Sequence, residues 1–178
     1  MKNGLIILVL ACFAVAGNAQ TAKKPVSQWE SNLSLGYLNN QPVETPPPNW
    51  VDNTNRHFAI VKSFWFYPFQ PRLVSFGLSF DYVSNSFPIS LNIALNLPSK
   101  VLVPFVCAGA GFSFSGSTLQ SYGGGLKLRV RGRLGFIAEY RHYTIHQNFK
   151  LGGPMEEGQK FDQESDYFGA GIAYLYEP

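Results

Sequence analysis

The chain has 178 residues, of which 46% are hydrophobic and 15% aromatic, and its formal net charge is +3 at pH 7. This length suits a single domain, and so small a charge, without a cluster of Lys and Arg interleaved with aromatic residues, excludes nucleic acid as the expected partner. Beyond the first 19 residues no apolar run is long enough for a membrane helix, so any crossing of a membrane must be made by the strands of a closed barrel.

The first segment, residues 1–19, predicts a secretory signal peptide. Lys2 is the charged start, the apolar stretch runs from Leu5 to Ala16, and Gly17-Asn18-Ala19 supplies small residues for cleavage. A transmembrane anchor would need a longer apolar stretch. A lipoprotein cut before Cys12 is disfavoured because the apolar stretch continues past this cysteine.

After cleavage, we expect a short periplasmic tail, 20–27, and one domain, 28–178. Cleavage also removes Cys12, so Cys107 has no partner for an intramolecular disulfide, although the compartment is oxidising. Because small residues surround Cys107 in the sequence, we expect it to be a packing residue.

Alternation of apolar with small or polar residues predicts β-strands along the whole of this domain. It is clearest between Leu73 and Leu97, where two runs place large apolar side chains on one face and Ser, Asn or Asp on the other. Most runs have about 10 to 14 residues, long enough for a tilted strand to cross a bilayer. In chain order the eight predicted strands are Gln28–Leu38, Arg56–Tyr67, Arg72–Val83, Phe87–Leu97, Val101–Phe114, Gln120–Arg131, Arg133–Ile145 and Ser165–Tyr176.

The connections between these strands favour an outer-membrane barrel. One set is short and includes Pro68–Pro71, Pro98–Lys100 and the turn at Gly132, whereas the other set contains two long polar loops, Asn39–Asn55 and His146–Glu164. Short periplasmic turns, longer outer loops and an even number of strands are typical of bacterial outer-membrane barrels. We therefore predict an all-β, eight-stranded, antiparallel, up-and-down transmembrane barrel in the outer membrane of a Gram-negative cell.

Aromatic residues are sorted by strand end in this arrangement, as expected for the two interfacial belts of a membrane barrel. The strand 56–67 does not fit the alternation of one apolar and one polar face, because both of its faces are apolar and Lys62 shares a face with Phe58 and Phe64. Its lumen and lipid faces are therefore left unassigned. Toward the periplasmic ends lie Trp29, Trp65, Phe66, Tyr67, Phe69, Tyr174 and Tyr176, and toward the outer ends lie Tyr37, Phe58, Tyr82, Phe112, Tyr140 and Phe168.

A set of charged residues on the polar faces of the strands is predicted to fill the lumen. An eight-stranded barrel is only just wide enough for its own side chains. We therefore favour an ion-pair network that plugs the barrel over the alternative, a narrow selective channel. The five residues are Asp81, Lys127, Arg129, Glu139 and Arg141.

A second polar group is predicted on the lipid-facing side. His142 and Thr144 share one face at the outer end of the seventh predicted strand, and Glu156 or Glu157 follows. An imidazole beside a hydroxyl, oriented by a carboxylate, suits acyl transfer. The simpler alternative is that both side chains meet water and phosphates at the headgroup level. In a strand His142 and His146 lie roughly 13 Å apart, too far for one metal ion to bind both, so we predict no metal site. The glycine-rich runs Gly109-Ala110-Gly111 and Gly123-Gly124-Gly125 lack a nucleotide-loop pattern, so we predict no cofactor.

Three stretches of the sequence are similar to a known family. Pro104-Phe105-Val106-Cys107-Ala108-Gly109-Ala110-Gly111-Phe112, Gly123-Gly124-Gly125-Leu126-Lys127-Leu128-Arg129 and Ala138-Glu139-Tyr140-Arg141-His142-Tyr143 resemble the OmpA-like, opacity-type eight-stranded outer-membrane barrels. The resemblance covers nearly the whole mature chain and implies the fold rather than an activity. Such barrels usually end on an aromatic residue, whereas this chain ends Tyr174-Leu175-Tyr176-Glu177-Pro178.

A narrower resemblance concerns His142-Tyr143-Thr144-Ile145, which is similar to the His-x-Ser-Asn signature of the barrel-shaped lipid A deacylases. It implies that His142 is the base, Thr144 the nucleophile and Glu156 the orienting acid. The match departs from the signature in two ways, because Thr replaces Ser and the Asn is lost.

Together these observations lead to one main expectation and two alternatives. We expect an outer-membrane protein with a structural or surface-interaction role, in contact with outer-membrane lipids and lipopolysaccharide and with an unidentified extracellular ligand at 39–55 and 146–164. The first alternative is an outer-membrane hydrolase of lipid A or phospholipid esters that uses His142 and Thr144; we favour the role without catalysis. The second is a soluble periplasmic barrel that binds an apolar ligand, which requires the apolar faces to point inward.

Overall fold

The computed structural model describes residues 28–41, 58–68, 72–83, 87–97, 99, 101–114, 116–131, 133–149 and 159–176. The predicted signal peptide, the periplasmic tail, Glu156 and most of the loop 39–55 lie outside these residues. Within the described ranges no helix is long and apolar enough to cross a membrane.

Eight strands form one closed antiparallel barrel, in which each strand pairs with its neighbours in the chain and the last strand pairs with the first. The predicted fold class is confirmed. In chain order the strands are β1 (Gln28–Asn40), β2 (Phe58–Tyr67), β3 (Val74–Tyr82), β4 (Pro88–Asn96), β5 (Leu102–Ser113), β6 (Thr118–Arg131), β7 (Leu134–Phe149) and β8 (Gln159–Tyr176).

The pairing register determines the tilt of the strands. Following directly paired residues once around the barrel from Glu30 leads back to Asn40 on the same strand, a stagger of ten residues. For eight strands about 4.8 Å apart, with a rise of about 3.3 Å per residue, this stagger corresponds to a tilt of about 40° and a radius of about 8 Å. So narrow a barrel has room for little more than its own side chains.

The outer surface of the barrel is apolar, because every strand has large aliphatic or aromatic side chains that point outward. Leu91, for example, is 72% exposed. Two residues predicted to join the aromatic belts, Trp65 and Tyr67, instead point inward and are buried. Among the exposed aromatic side chains, Trp29 and Tyr176 lie at the end with the short turns, and Tyr37, Phe58 and Phe112 lie toward the opposite end.

The two faces of β2 are assigned by the structure. Ala59, Val61, Trp65 and Tyr67 point into the lumen and are buried, whereas Lys62 lies on the outer surface, on the same face as the exposed Phe58 and Phe64. Both faces are apolar because the inward side chains belong to apolar clusters inside the barrel. Alternation alone therefore could not distinguish the two faces of this strand.

Lys62 is a positive charge on the apolar outer surface, near the middle of β2. Its Nζ donates a hydrogen bond to Ser31 Oγ over 2.6 Å and lies 5.0 Å from the centroid of the Phe64 ring. Ser31 points outward from the neighbouring strand β1, and its paired residue on β2 is Phe64. The ammonium group therefore has one hydrogen-bond acceptor and one aromatic face beside it.

The predicted loop His146–Glu164 is wrong at both ends, because β7 continues to Phe149 and β8 begins at Gln159. These two strands pair with each other as far as Phe149 and Gln159. In contrast, β6 pairs with β7 only up to His146, and β1 pairs with β8 only from Ser165 onward. A self-paired hairpin satisfies its own backbone groups, so strand structure continues although the sequence is polar. We call the segment 146–149 with 159–164 the β7–β8 ribbon.

Candidate functional site

The lumen is filled from one end to the other. Apolar side chains close the end from which the β7–β8 ribbon extends, and a second apolar cluster lies toward the end with the short turns. The first cluster contains Leu38, Ala59, Val61, Val83, Leu119, Tyr143, Ile145 and Tyr167. The second contains Trp65, Tyr67, Ala94, Phe105, Cys107 and Ile137.

A buried ion pair between Glu30 and Lys127 lies beside the second apolar cluster. Lys127 Nζ is 2.6 Å from Glu30 Oε1 and donates a further hydrogen bond, over 2.9 Å, to the Tyr67 hydroxyl. That hydroxyl donates to Glu30 Oε2 over 3.0 Å. The ammonium group also lies 5.0 to 5.7 Å from the ring centroids of Phe105, Tyr67 and Trp65. All three polar groups of this Glu30–Lys127 network thus have partners.

A second buried ion pair joins Glu139 and Arg141 within β7. Arg141 Nη2 is 2.9 Å from Glu139 Oε2, and each side chain is only 1% exposed. The Ser34 hydroxyl donates to Glu139 Oε1, and the Tyr167 hydroxyl donates to Ser34 Oγ over 3.0 Å. This Glu139–Arg141 network therefore connects β7 with β1 and β8.

Asp81 and Arg129, the other two residues of the predicted lumen set, have different positions. Asp81 is buried and accepts long hydrogen bonds from the Tyr143 hydroxyl at 3.3 Å and from Ser79 Oγ at 3.4 Å. Arg129 is half-exposed at the end of the barrel, away from the Glu139–Arg141 network. Glu30 was absent from the predicted set, although the run of polar residues on the inward face of β1 was a signal for it.

A polar cluster lies outside the barrel where β7 and β8 pair. His142 Nδ1 is 2.9 Å from Asp166 Oδ1, and the Tyr140 hydroxyl donates to the same oxygen over 2.7 Å. The Tyr122 ring lies against the imidazole, with 5.0 Å between ring centroids. The cluster is partly shielded, because the His142 side chain is 12% exposed. We call these residues the His142–Asp166 cluster.

Thr144 follows His142 on the same outward face and is half-exposed. Thr144 pairs directly with Glu164 on β8. The next outward residue of β7 is His146, and its Nδ1 lies 2.6 Å from Asp162 Oδ1. Two His–Asp pairs thus flank a Thr–Glu pair along the outer face of the hairpin. Within the described part of the chain, no hydrogen bond connects His142 to Thr144.

The carboxylate that contacts His142 is Asp166, whereas Glu156, to which the resemblance to lipid A deacylases assigned that role, lies outside the described residues. A sequence signal for Asp166 existed in Gly152-Gly153-Pro154, a set of turn-forming residues between two polar runs. A hairpin register centred on position 154 pairs His142 with Asp166. The carboxylate at Nδ1 fixes the orientation of the His142 imidazole, which is the arrangement that general-base chemistry needs.

Comparisons with known proteins identify the fold but no closer relative. No family model matches the chain, and no curated protein matches its sequence. Among solved structures, the chain is similar to the N-terminal β-barrel domain of Pseudomonas aeruginosa OprF, with 14% identity and a TM-score of 0.53 over 85% of this chain and 98% of that one.

Two further similarities have lower TM-scores. One is to a de novo designed transmembrane β-barrel, with 16% identity and a TM-score of 0.49 over 86% of this chain and 98% of the other. The second is to Neisserial surface protein A, with 10% identity and a TM-score of 0.49 over 83% and 96% of the two chains. The closed barrel and its similarity to the OprF domain together show that this chain has the fold of the eight-stranded outer-membrane β-barrels.

Proposed function

We propose that the chain is an integral protein of the Gram-negative outer membrane, of the OmpA-like type, that is sealed to ions and presents the β7–β8 ribbon at the cell surface as an interaction surface. The observation that supports this most directly is the inversion of the barrel, which is apolar outside and holds two buried ion pairs inside. In water such a surface would aggregate, whereas in a bilayer it is the lowest-energy arrangement. The soluble periplasmic alternative required apolar faces that point inward, and they point outward.

The filled lumen supports a sealed barrel. The apolar cluster around Tyr143 and Tyr167 blocks the outer end, and the two ion-pair networks occupy the space below it. Conduction would require these side chains to leave well-packed positions, and a separated buried ion pair is strongly unfavourable. We therefore assign a structural or surface-interaction role rather than transport.

The ribbon supports a surface role. All three connections at one end of the barrel are short, at 68–73, 97–101 and 132–133, whereas the other end has the two long connections, at 41–57 and 150–158. Short periplasmic turns with longer outer loops are typical of outer-membrane barrels. The ribbon extends from the opposite end, where its exposed carboxylates at Asp162 and Glu164 face outward. We propose that lipopolysaccharide surrounds the base of the ribbon and that an extracellular ligand binds at the loop 150–158.

Electrophoresis, bilayer recording and surface labelling of the full chain test this proposal. We expect a heat-modifiable gel shift in detergent and no conductance steps in planar bilayers. An epitope inserted between 150 and 158 should react with antibody on intact cells, and the same epitope at 98–100 should not. A protein that stays soluble without detergent would refute membrane insertion, and stable conductance would refute the seal. Replacing 150–158 with Asn-Gly should leave the gel shift intact, because the pairing of β7 with β8 ends at Phe149 and Gln159 and does not need these residues.

A second candidate function is hydrolysis of an acyl ester of lipid A or a phospholipid, and the contact between His142 and Asp166 favours it. A base oriented by a carboxylate lies next to Thr144 on the outer face, toward the leaflet that contains lipid A. Attack by Thr144 Oγ on an ester carbonyl would pass its proton to His142, release the lipid alcohol and leave an acyl-Thr that water then hydrolyses.

Mass spectrometry of lipid A from cells with and without the protein tests this second candidate. If it is correct, expression removes an acyl chain, and His142→Ala, Asp166→Asn and Thr144→Val each abolish the loss. His146→Ala is the matched control, because it removes the other His–Asp pair of the same hairpin, and it should retain activity. Unchanged acylation with folded wild-type protein excludes lipid A as the substrate, and an unchanged phospholipid profile excludes the hydrolase.

A further inference from the structure

Positive charge is concentrated at the end of the barrel with the short turns. The β6–β7 turn reads Arg129-Val130-Arg131-Gly132-Arg133, with three arginines in five residues, and Arg72 and Lys100 lie in the two other short connections. In contrast, the outward residues at the ribbon end include Asp162, Glu164 and Asp166. The clustering of arginines is thus a feature of the end with the short turns.

The backbone at Arg129 and Arg133 is fixed by both neighbouring strands. The Arg129 amide donates to the Val101 carbonyl oxygen over 2.8 Å, and the Arg133 carbonyl accepts from the Leu175 amide over 2.8 Å. Arg129 adjoins a register shift between Arg129 and Arg131, which redirects the chain at the end of β6. The two arginines thus extend from anchored positions on either side of the turn.

The guanidinium groups of Arg129 and Arg133 have no carboxylate within ion-pair distance in the described part of the chain. The nearest buried carboxylate, Glu30, is already bound by Lys127. Both arginines and this ion pair line a cavity of about 30 Å³. Among the described residues neither guanidinium group has a carboxylate partner, so both remain available to an anion from outside the chain.

The surroundings of the two arginines indicate the kind of anion. Val130 is 59% exposed and Leu134 is 57% exposed, and both lie on the outer apolar surface next to the turn. Arg129 lies on the lumen-facing side of β6, where it pairs with Gly135, and Arg133 is exposed in the turn. A ligand with its phosphate group at the rim of the barrel and its alkyl chains on the outer surface would reach both arginines and both apolar side chains. Arg matches phosphate especially well because its planar guanidinium can donate two parallel hydrogen bonds.

We propose that Arg129 and Arg133 bind the phosphate group of an anionic phospholipid in the periplasmic leaflet of the membrane. This inference rests on the proposed function, since it requires the barrel to span the membrane with its short turns toward the periplasm. A phospholipid with a net negative charge is favoured over a zwitterionic one, because Glu30, the acidic side chain in the cavity lining, is already paired with Lys127 and is not available to a choline or ethanolamine cation.

Native mass spectrometry of the full chain in detergent micelles, titrated with phosphatidylglycerol or phosphatidylcholine, tests the site. We expect wild-type protein to retain phosphatidylglycerol in preference to phosphatidylcholine. Arg129→Gln/Arg133→Gln should weaken retention of phosphatidylglycerol by about 30-fold, since each basic residue near a membrane surface contributes about one factor of five. Lys160→Gln, which removes a positive charge at the opposite end of the barrel, should bind like wild type.

Three outcomes would overturn the site. These are equal retention of phosphatidylglycerol by wild type and by the glutamine variant, equal binding of the two phospholipids, and complete displacement by millimolar inorganic phosphate, which would indicate a site for free anions. If the glutamine variant fails to fold, Arg129→Lys/Arg133→Lys keeps the charge and should lose part of the affinity, because Lys cannot form the paired hydrogen bonds. A heat-modifiable gel shift of each variant keeps this test separate from the proposed membrane insertion.

Discussion

Replacing Lys127 by Met removes the ammonium group of the Glu30–Lys127 network but keeps a flexible side chain against its three aromatic rings. Glu30 Oε2 would retain its hydrogen bond from Tyr67, whereas Oε1 would lose its ion pair in a buried position. A buried charge left without its partner costs about 3–5 kcal/mol. We therefore expect Lys127→Met to lower the free energy of unfolding by about 4 kcal/mol.

The complete double-mutant cycle separates the ion pair from the packing around it. Glu30→Gln leaves Lys127 unpaired and should cost a similar amount. The double variant contains no charge, and its Gln amide oxygen can still accept from Tyr67, so it should lie within about 1 kcal/mol of wild type. The two single variants are thus expected to be less stable than the double variant.

Urea unfolding in phosphatidylcholine vesicles, read from the gel mobility of unheated samples, measures these stabilities. With a slope of about 2 kcal/mol per molar urea, the single variants should shift the midpoint down by about 2 M. Gel mobility is preferable to tryptophan fluorescence because Lys127 Nζ lies 5.7 Å from the Trp65 ring, so substitution would change the signal itself. If the double variant loses as much as the two single losses combined, the two charges do not stabilise each other and the reasoning is refuted.

Three further predictions use the same unfolding assay or a labelling reaction. Lys62→Met should raise the free energy of unfolding by about 1–2 kcal/mol, because a lipid-facing Lys in a barrel costs about 2–4 kcal/mol at the midplane and Ser31 and Phe64 offset part of it; lower stability would contradict this. Gly77→Ala should lower the free energy of unfolding by about 1–3 kcal/mol, since its Cβ would lie 2.6 Å from the Trp65 ring. Gly116→Ala should lower it by less, because nothing lies within 4 Å of the added Cβ, although Gly116 has a φ of 86°. Cys107 is 8% exposed inside the barrel, so a membrane-impermeant maleimide should label it only after urea unfolding, and labelling of the folded protein would contradict its buried position.

The eight strands could be predicted from the sequence because a barrel with a polar lumen and an apolar exterior imposes a period of two on each strand. All eight predicted strands overlap the observed ones, and the first six differ from them by two residues or fewer at each boundary. The prediction was wrong for the ends of β7 and β8, where pairing within the hairpin maintains strand structure in a polar sequence. It left β2 unassigned because the lumen there is apolar, which removes the contrast between its faces.

The candidate sites were harder to predict than the strands. His142 and Thr144 were found because a polar pair on an apolar face is unusual, but the contact with Asp166 depends on the register between two strands. A change of two residues in that register would place a different acid beside His142, and the sequence contains several acids in the hairpin. Glu30 was missed for a similar reason, since its contact with Lys127 crosses the lumen between strands far apart in the chain.

The Glu139–Arg141 network has a consequence for the order of events during assembly. Ser34 on β1 binds Glu139 on β7, and Tyr167 on β8 binds Ser34, so the network bridges the seam at which the first strand meets the last. In an open sheet these charges are still hydrated, and they lose that water only when the seam closes. Desolvation of the charges and closure of the barrel are therefore one event, and a half-closed barrel in the bilayer bears the cost of charge burial without its compensating contacts. Assembly should consequently proceed without a stable, half-closed intermediate in the bilayer.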